Sequence, residues 1–104
     1  MGFKQYERIT CEDGFSVSVQ ADKAKYCSPR NDTGPYCSVE LGFPNQADEL
    51  ILPWAENKAE PTETVYGYTP SIIVWQLFTK HGGIKSGTLP PMVVAKEDWG
   101  DNVS

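Results

Sequence analysis

Apolar and polar residues alternate near the start of the chain, which is the pattern of a half-buried β-strand. Residues 6–11 alternate, and residues 15–20 alternate again, with small polar residues between the apolar ones. The sequence Glu-Asp-Gly at 12–14 separates the two runs, and Gly14 can adopt the positive φ that a tight turn requires. The pattern therefore predicts a β-hairpin with one apolar face.

Later segments also have strand composition. The clearest covers residues 37–43, where Cys, Val, Leu and Phe alternate with Ser, Glu and Gly. Residues 64–68 are rich in β-branched and aromatic residues, and residues 92–95 can add one last short strand. The apolar residues 50–52 precede a proline and indicate a brief strand or an edge segment. Residues 84–91 are predicted to form a loop.

The apolar period changes after residue 68, where the sequence predicts a helix. Thr69 is a good N-cap residue, and Pro70 suits the first helical position because an N–H there would have no partner. Gly82 can supply the left-handed residue that follows a helix end at about His81. The apolar face contains Ile73, Val74, Leu77 and Phe78, widened by Ile72 and Trp75. So broad a face is typical of a helix that lies across a sheet and is buried over most of its circumference.

These elements predict a single α+β domain, with an antiparallel sheet of about four to six strands and one helix, residues 70–81, packed on one face. The 104 residues, 39% of them hydrophobic, can bury one core. The termini, residues 1–3 and 97–104, are expected to fray. The chain has no apolar run long enough to span a membrane and no signal-peptide pattern at its start. A cytoplasmic protein without a membrane partner is expected.

The charge distribution limits the class of partner. The chain has 9 basic and 14 acidic residues, a net charge of -5, which argues against direct nucleic-acid binding. Acidic residues concentrate between residues 40 and 63. The charged residues there are Glu40, Asp48, Glu49, Glu56, Glu60 and Glu63, against the cation Lys58. They form either a solvated surface or an acidic patch that matches a basic partner.

Residues 28–35 are almost all turn-forming residues and predict a long structured loop. Tyrosines flank this loop, and it contains one arginine. Because Tyr and Arg are over-represented at binding hot spots, the loop is either a recognition element or a hairpin connection whose tyrosines pack inward. Its candidate binding residues are Tyr26, Arg30, Asn31, Asp32 and Tyr36.

Trp54 is the one large apolar residue of the acidic stretch 54–63. Its indole is either a plug over the core or an exposed anchor for a partner. Together with the acidic side chains of the same stretch, it completes the candidate interface. The residues added to the loop set are Trp54, Glu56, Glu60 and Glu63.

The sequence offers little for catalysis. Cys11, Cys27 and Cys37 have spacings that match neither a redox pair nor a zinc-ligand motif, so reduced and buried cysteines are expected. His81 is the only histidine, and no phosphate-binding glycine motif is present. We therefore expect no cofactor, no metal and no enzymatic activity. A small enzyme or thiol sensor that uses Cys27 or Cys37 with His81 is a weaker alternative.

In their style and order, segments between residues 6 and 83 resemble small uncharacterised proteins encoded by tailed phages and prophages. The segments are DGFSVSVQA (13–21), YCSPR (26–30), VELGFP (39–44), TVYGY (64–68) and KHGG (80–83). The resemblance implies a protein that acts by binding, as an inhibitor of a host protein or of a nucleoprotein defence complex such as a CRISPR effector. Anti-CRISPR proteins are one such group.

A phage structural or assembly component is the alternative that the same resemblance implies. Such a component would form homo-oligomers, either through an edge strand or through exposed Trp54 and Trp99. Both functions need only a folded module with one complementary surface, so the sequence leaves both open.

Overall fold

A computed structural model describes residues 5–93 and contains one antiparallel sheet and one α-helix in that range. The elements are β1 (Ile9–Cys11), β2 (Ser16–Gln20), β3 (Ser38–Gly42), a 3-10 helix (Leu52–Trp54), β4 (Val65–Pro70), α1 (Ser71–Lys80) and β5 (Ile84–Ser86). The sheet has five strands in the order β4-β3-β2-β1-β5. The predicted α+β architecture is confirmed.

The first two strands form the hairpin that the alternation predicts. Ile9 of β1 pairs with Val17 of β2, and the apolar residues of both strands are buried. Gly14, in the turn between them, has a φ of +98°. The period of two therefore places one face of the hairpin in the core, and the glycine permits the turn.

The core lies between the sheet and α1. Its helical members are Val74, Leu77 and Phe78, which pack with strand residues such as Val39 and Leu41. Trp75, which the sequence places on the apolar face, is instead 40% exposed. The buried stripe of α1 is thus narrower than predicted, because Trp75 lies at its edge and contacts Phe78 in an edge-to-face arrangement with ring centroids 6.0 Å apart.

The helix starts later than the sequence predicts. Thr69 is buried within β4, and its hydroxyl donates to the Tyr66 carbonyl, so it does not cap α1. Pro70 occupies the N-cap position, with an extended backbone. Gly82 follows the helix with a φ of +90°, as predicted. No helix in the described range is long and apolar enough to cross a membrane.

Two segments differ from the sequence-based strand assignment, and a third is described only in part. Residues 50–52 form no strand, and the chain turns instead into the short 3-10 helix. The predicted loop 84–91 contains β5, which pairs with β1; all three of its residues are exposed, so no alternating pattern marks it. Met92 makes one bridge to Tyr36. The rest of that predicted strand, Trp99 and the two predicted frayed ends lie outside the described residues.

Candidate functional site

The loop between β2 and β3 is structured by its own side chains. The Asp32 carboxylate accepts the Lys23 backbone N–H at 3.0 Å, and the Asn31 side-chain oxygen accepts that of Gly34 at 2.8 Å. Tyr36 is 1% exposed, and its hydroxyl donates to the Asn31 carbonyl at 2.7 Å. The inward interpretation is therefore confirmed for Tyr36, and its placement among partner-binding residues is corrected, because its ring lies in the core.

The other flanking tyrosine lies at the surface. Tyr26 is 44% exposed and stacks on Tyr68 of β4, which is 45% exposed, with ring centroids 5.9 Å apart. Half-buried Trp54 packs against the core and also lines a pocket of about 280 Å³ beside the two tyrosines. This aromatic pocket is lined by Tyr26, Trp54, Ala55, Glu56, Gly67 and Tyr68.

Tyr26 is held in place although its ring is exposed. Its backbone N–H donates to the Glu40 carboxylate at 3.0 Å, and its carbonyl accepts the Tyr68 N–H at 2.9 Å. A Cβ at Gly67 would lie 3.1 Å from the Tyr26 Cβ, so a residue without a side chain permits this close approach. The tyrosine pair is therefore positioned before any partner binds.

Tyr68 has a φ of +54°, in the left-handed region that bulky residues rarely adopt. This conformation costs about 1–2 kcal/mol for a residue with a Cβ. Phe43 shares it at +51°, and there the backbone carbonyl accepts the Arg8 guanidinium at 2.6 Å. Backbone strain of this kind clusters at functional sites, so the conformation of Tyr68, beside an exposed aromatic pair, is an observation in favour of binding.

The structure brings only part of the predicted interface together. The Arg30 guanidinium lies 5.7 Å from the Tyr26 ring centroid, within the range of a cation–π contact. Glu56 lines the aromatic pocket. Glu60 and Glu63 are exposed in the following turn and do not line it. Trp54 combines both proposed roles, since it packs on the core and borders the pocket.

A charged cluster that sequence reasoning missed surrounds His81 at the C-terminal end of α1. The two imidazole nitrogens each lie 2.7 Å from a carboxylate, Nδ1 from Asp13 and Nε2 from Asp48. Lys80 Nζ lies 2.9 Å from the other Asp48 oxygen. The Phe15 ring stacks on the imidazole with centroids 4.1 Å apart. We call Asp13, Asp48, Lys80 and His81 the His81 cluster.

The contacts in the His81 cluster favour its charged forms. Burial alone would lower the pKa of His81, but hydrogen bonds with Asp13 and Asp48 outweigh it and raise that pKa above its ordinary value. Burial likewise opposes ionisation of Asp48, yet hydrogen bonds from Lys80 and His81 lower its pKa. The two carboxylates therefore favour the protonated imidazole over the neutral one, and Lys80 provides a second cation beside Asp48.

This arrangement argues against a catalytic role for His81. Both ring nitrogens already contact carboxylates, so neither is free to remove a proton from a nucleophile. Burial raises the pKa of the Cys11 and Cys27 thiols, the opposite of what a reactive thiol needs. Cys37 is half-buried, so the expectation of buried cysteines is confirmed for the other two only.

A cleft of about 510 Å³ opens beside the His81 cluster. Its lining includes Asp48, Glu49, Lys58, Lys80 and His81. Asp48 is 6% exposed and contacts both Lys80 and the His81 imidazole, so it does not belong to the acidic surface that the sequence suggests. Within residues 5–93, no group of three or more His, Cys, Asp or Glu side chains is placed to hold a metal ion.

No local sequence signal marks the His81 cluster. Asp13 and Asp48 lie 68 and 33 residues from His81 and belong to a turn and a loop. The helix end explains His81 by itself, since a cation there interacts favourably with the helix dipole. Only the fold, which brings the β1–β2 turn beside the end of α1, shows why both carboxylates are needed.

No protein-family model, no curated protein and no solved structure matches this chain. Function is therefore inferred from the geometry of the aromatic pocket and of the His81 cluster.

Proposed function

We propose that this chain is a non-enzymatic binding protein that docks on a basic surface of a host protein or nucleoprotein complex. The observation that carries the proposal is the aromatic pocket, where exposed Tyr26 and Tyr68 stack beside Trp54. Tyr and Trp supply much of the binding energy at protein interfaces, because each buries a large apolar area with few rotatable bonds.

Preorganisation supports this role for the aromatic pocket. The backbone of Tyr26 is fixed by hydrogen bonds with Glu40 and Tyr68, so little conformational freedom is lost there on binding. Tyr68 retains an unfavourable φ while 45% of its surface stays exposed. A purely structural tyrosine would gain more from burial, whereas a binding tyrosine must remain accessible.

Charge supports a basic partner. The chain carries a net charge of -5, and Glu56 lines the pocket while Glu60 and Glu63 are exposed in the turn that follows. Such a surface attracts basic patches and accelerates encounter at low ionic strength. A nucleic-acid-binding groove on a protein is a basic patch of this kind, so occupation of the groove would block nucleic acid without any catalysis.

The resemblance to small phage proteins supports an inhibitor as the biological form of this activity. An inhibitor that binds stoichiometrically needs only one complementary surface and no catalytic group. We therefore propose a phage-encoded inhibitor of a host defence complex, such as a CRISPR effector, as the most specific form of the function.

Affinity capture with matched variants tests the proposal. Tagged protein is incubated with lysate of a bacterial host at low and high salt, and the bound proteins are identified by mass spectrometry. We expect one host complex in near-stoichiometric amount, and we expect Tyr26→Ala to weaken its capture by about 2 kcal/mol, the size of a hot-spot loss. Trp75→Ala is the control, since Trp75 is exposed on α1 and does not line the pocket.

Charge reversal tests the electrostatic part separately. Replacing Glu56, Glu60 and Glu63 by Lys should weaken capture and flatten its dependence on salt. Unchanged capture would remove the electrostatic part of the proposal. Equal capture by Tyr26→Ala and the unaltered protein would overturn the assignment of the aromatic pocket, and recovery of only the protein itself or of phage particle proteins would favour the assembly alternative.

A further inference from the structure

We propose that the aromatic pocket takes a single arginine side chain presented by a basic segment of the partner protein. This inference rests on the proposed function and names the group that the pocket recognises. The volume of about 280 Å³ lies near the lower end of the range of ligand pockets and leaves room for one side chain.

The chemistry of the pocket walls matches a guanidinium group. Tyr26, Trp54 and Tyr68 supply aromatic rings, whose faces attract cations, and Trp is the strongest of the three residue types that do so. Glu56 supplies a carboxylate at the same pocket. A planar guanidinium can stack on a ring and also donate paired hydrogen bonds to a carboxylate, which a compact ammonium does less well.

The chain itself places a guanidinium beside one ring of the pocket. The Arg30 guanidinium, which is not part of the pocket lining, lies 5.7 Å from the Tyr26 ring centroid, within the range of a cation–π contact. An apolar side chain in the pocket would remove water from Glu56 without replacing its hydrogen bonds, which is unfavourable. Among protein side chains, arginine therefore satisfies the rings and the carboxylate together.

Peptide titration tests the specificity directly. The probes are glycine-flanked pentapeptides with a central arginine, citrulline or lysine. Their binding is measured at low salt from the NMR chemical shifts of the Trp54 indole and the tyrosine rings. Citrulline matches arginine in shape and lacks its charge. We expect the arginine peptide to bind about fivefold tighter than the citrulline peptide, as for a partly exposed cation–π and carboxylate contact. We expect the lysine peptide to lie between them.

Two variants with the same charge change locate the site. Glu56→Gln should weaken binding of the arginine peptide about threefold, whereas Glu49→Gln, outside the pocket, should leave it unchanged. Equal binding of the arginine and citrulline peptides, or no arginine-dependent shift at millimolar concentration, would overturn the inference. Equal effects of the two variants would also overturn it.

The two proposals fail in different ways. If the peptides bind alike and Tyr26→Ala still abolishes partner capture, the pocket binds the partner without recognising arginine. If the arginine peptide binds specifically but Tyr26→Ala captures the partner normally, the pocket is specific for arginine and the partner uses another surface.

Discussion

The His81 cluster and the aromatic pocket are joined by one segment, residues 48–56, but they use its side chains in opposite ways. Asp48, at the start of the segment, is 6% exposed and contacts both Lys80 and the His81 imidazole. Trp54 and Glu56, at its end, line an open pocket between exposed tyrosines. The first region satisfies its charged groups within the chain, and the second leaves rings and a carboxylate accessible.

This difference separates structural from functional use of the same residue types. In the described range, every buried side-chain nitrogen or oxygen has a hydrogen-bond partner, so the buried groups of the His81 cluster are satisfied within the chain. The aromatic pocket, by contrast, combines two nearly half-exposed tyrosines with a strained backbone at Tyr68. We infer that the cluster anchors the segment and that the pocket, fixed by this anchor, carries the interaction.

The largest expected effect follows removal of the imidazole. His81→Ala leaves Asp48 buried with Lys80 as its remaining charged partner, so the free energy of unfolding should fall by about 1.5–3 kcal/mol, the value of a hydrogen bond to a charged group. Urea denaturation measures this change. The control is Trp75→Ala, which removes an exposed ring and should cost less. A loss below about 1 kcal/mol in His81→Ala would show that the cluster is not the anchor.

The next effect is a dependence of stability on pH. The pKa of His81 is raised in the folded chain above its ordinary value of 6.5, so the folded state binds its proton more tightly. Its contribution is therefore complete below pH 6.5 and is lost as pH rises through the folded pKa. The contribution of Asp48, whose pKa is lowered from 3.8, is present above that pH and is lost on acidification.

The midpoints of urea denaturation at about pH 5.5 and about pH 7.5 measure this dependence on pH. Both values lie below the range in which thiols titrate, so the cysteines do not contribute to the difference. We expect the higher midpoint at the lower pH. His81→Gln should remove most of the difference, since glutamine does not titrate. A midpoint that is equal at both pH values, or higher at the upper one, would contradict the charged form of the cluster.

A smaller loss of stability is expected for Gly67→Ala, which should affect the aromatic pocket and leave the His81 cluster unchanged. Gly67→Ala places a Cβ 3.1 Å from the Tyr26 Cβ, so the tyrosine must shift. Overpacking of this kind costs about 1 kcal/mol or slightly more, and binding of the arginine peptide should weaken while the pH dependence stays unchanged. Gly42→Ala is the matched control, because its Cβ would meet neighbours only at 3.8 Å or more. Similar peptide affinity in both variants would show that the position of Tyr26 does not matter for binding.

The smallest change in stability is expected at Tyr68. Asparagine tolerates the left-handed region better than tyrosine, so Tyr68→Asn relieves strain while it removes a ring stack of about 0.5–1.5 kcal/mol. The free energy of unfolding should therefore change by less than about 1 kcal/mol, while binding of the arginine peptide is lost. Tyr68→Phe, which keeps the ring, should retain binding. Retained binding in Tyr68→Asn would show that the Tyr68 ring does not contribute to binding.

Most of the fold follows from local pattern. The hairpin and the strand at residues 38–42 were predictable because a period of two decides which face of a strand is buried. The helix α1 was predictable because the spacing of its apolar residues and the glycine at its end, Gly82, both indicate a helix. The strand β5 was not, since an exposed edge strand of three residues has no apolar period. The prediction of Thr69 as the N-cap residue was wrong because β4 continues to Pro70. Within that strand, the Thr69 hydroxyl donates to the Tyr66 carbonyl.

The candidate site was less predictable because it depends on distant contacts. Tyr26, Arg30, Trp54 and Glu56 were candidates from residue type alone, and the fold brings them together. Tyr68 was missed because it lies in a segment of ordinary strand composition. Its positive φ is visible only in the structure. Tyr26 and Tyr36 flank the same loop and are the same residue type, so the sequence does not distinguish them. Packing in the fold decides that Tyr26 faces solvent and Tyr36 does not.

The position of β5 in the sheet has a consequence for synthesis of the chain. The hairpin of β1 and β2 leaves the ribosome before β5, and within residues 5–93 it is β5, at residues 84–86, that pairs with the second edge of β1. Until those residues emerge, a nascent chain exposes a strand edge of the kind that pairs with other chains. Products that terminate before residue 84 keep this edge open, so premature termination should yield aggregates rather than a smaller folded domain.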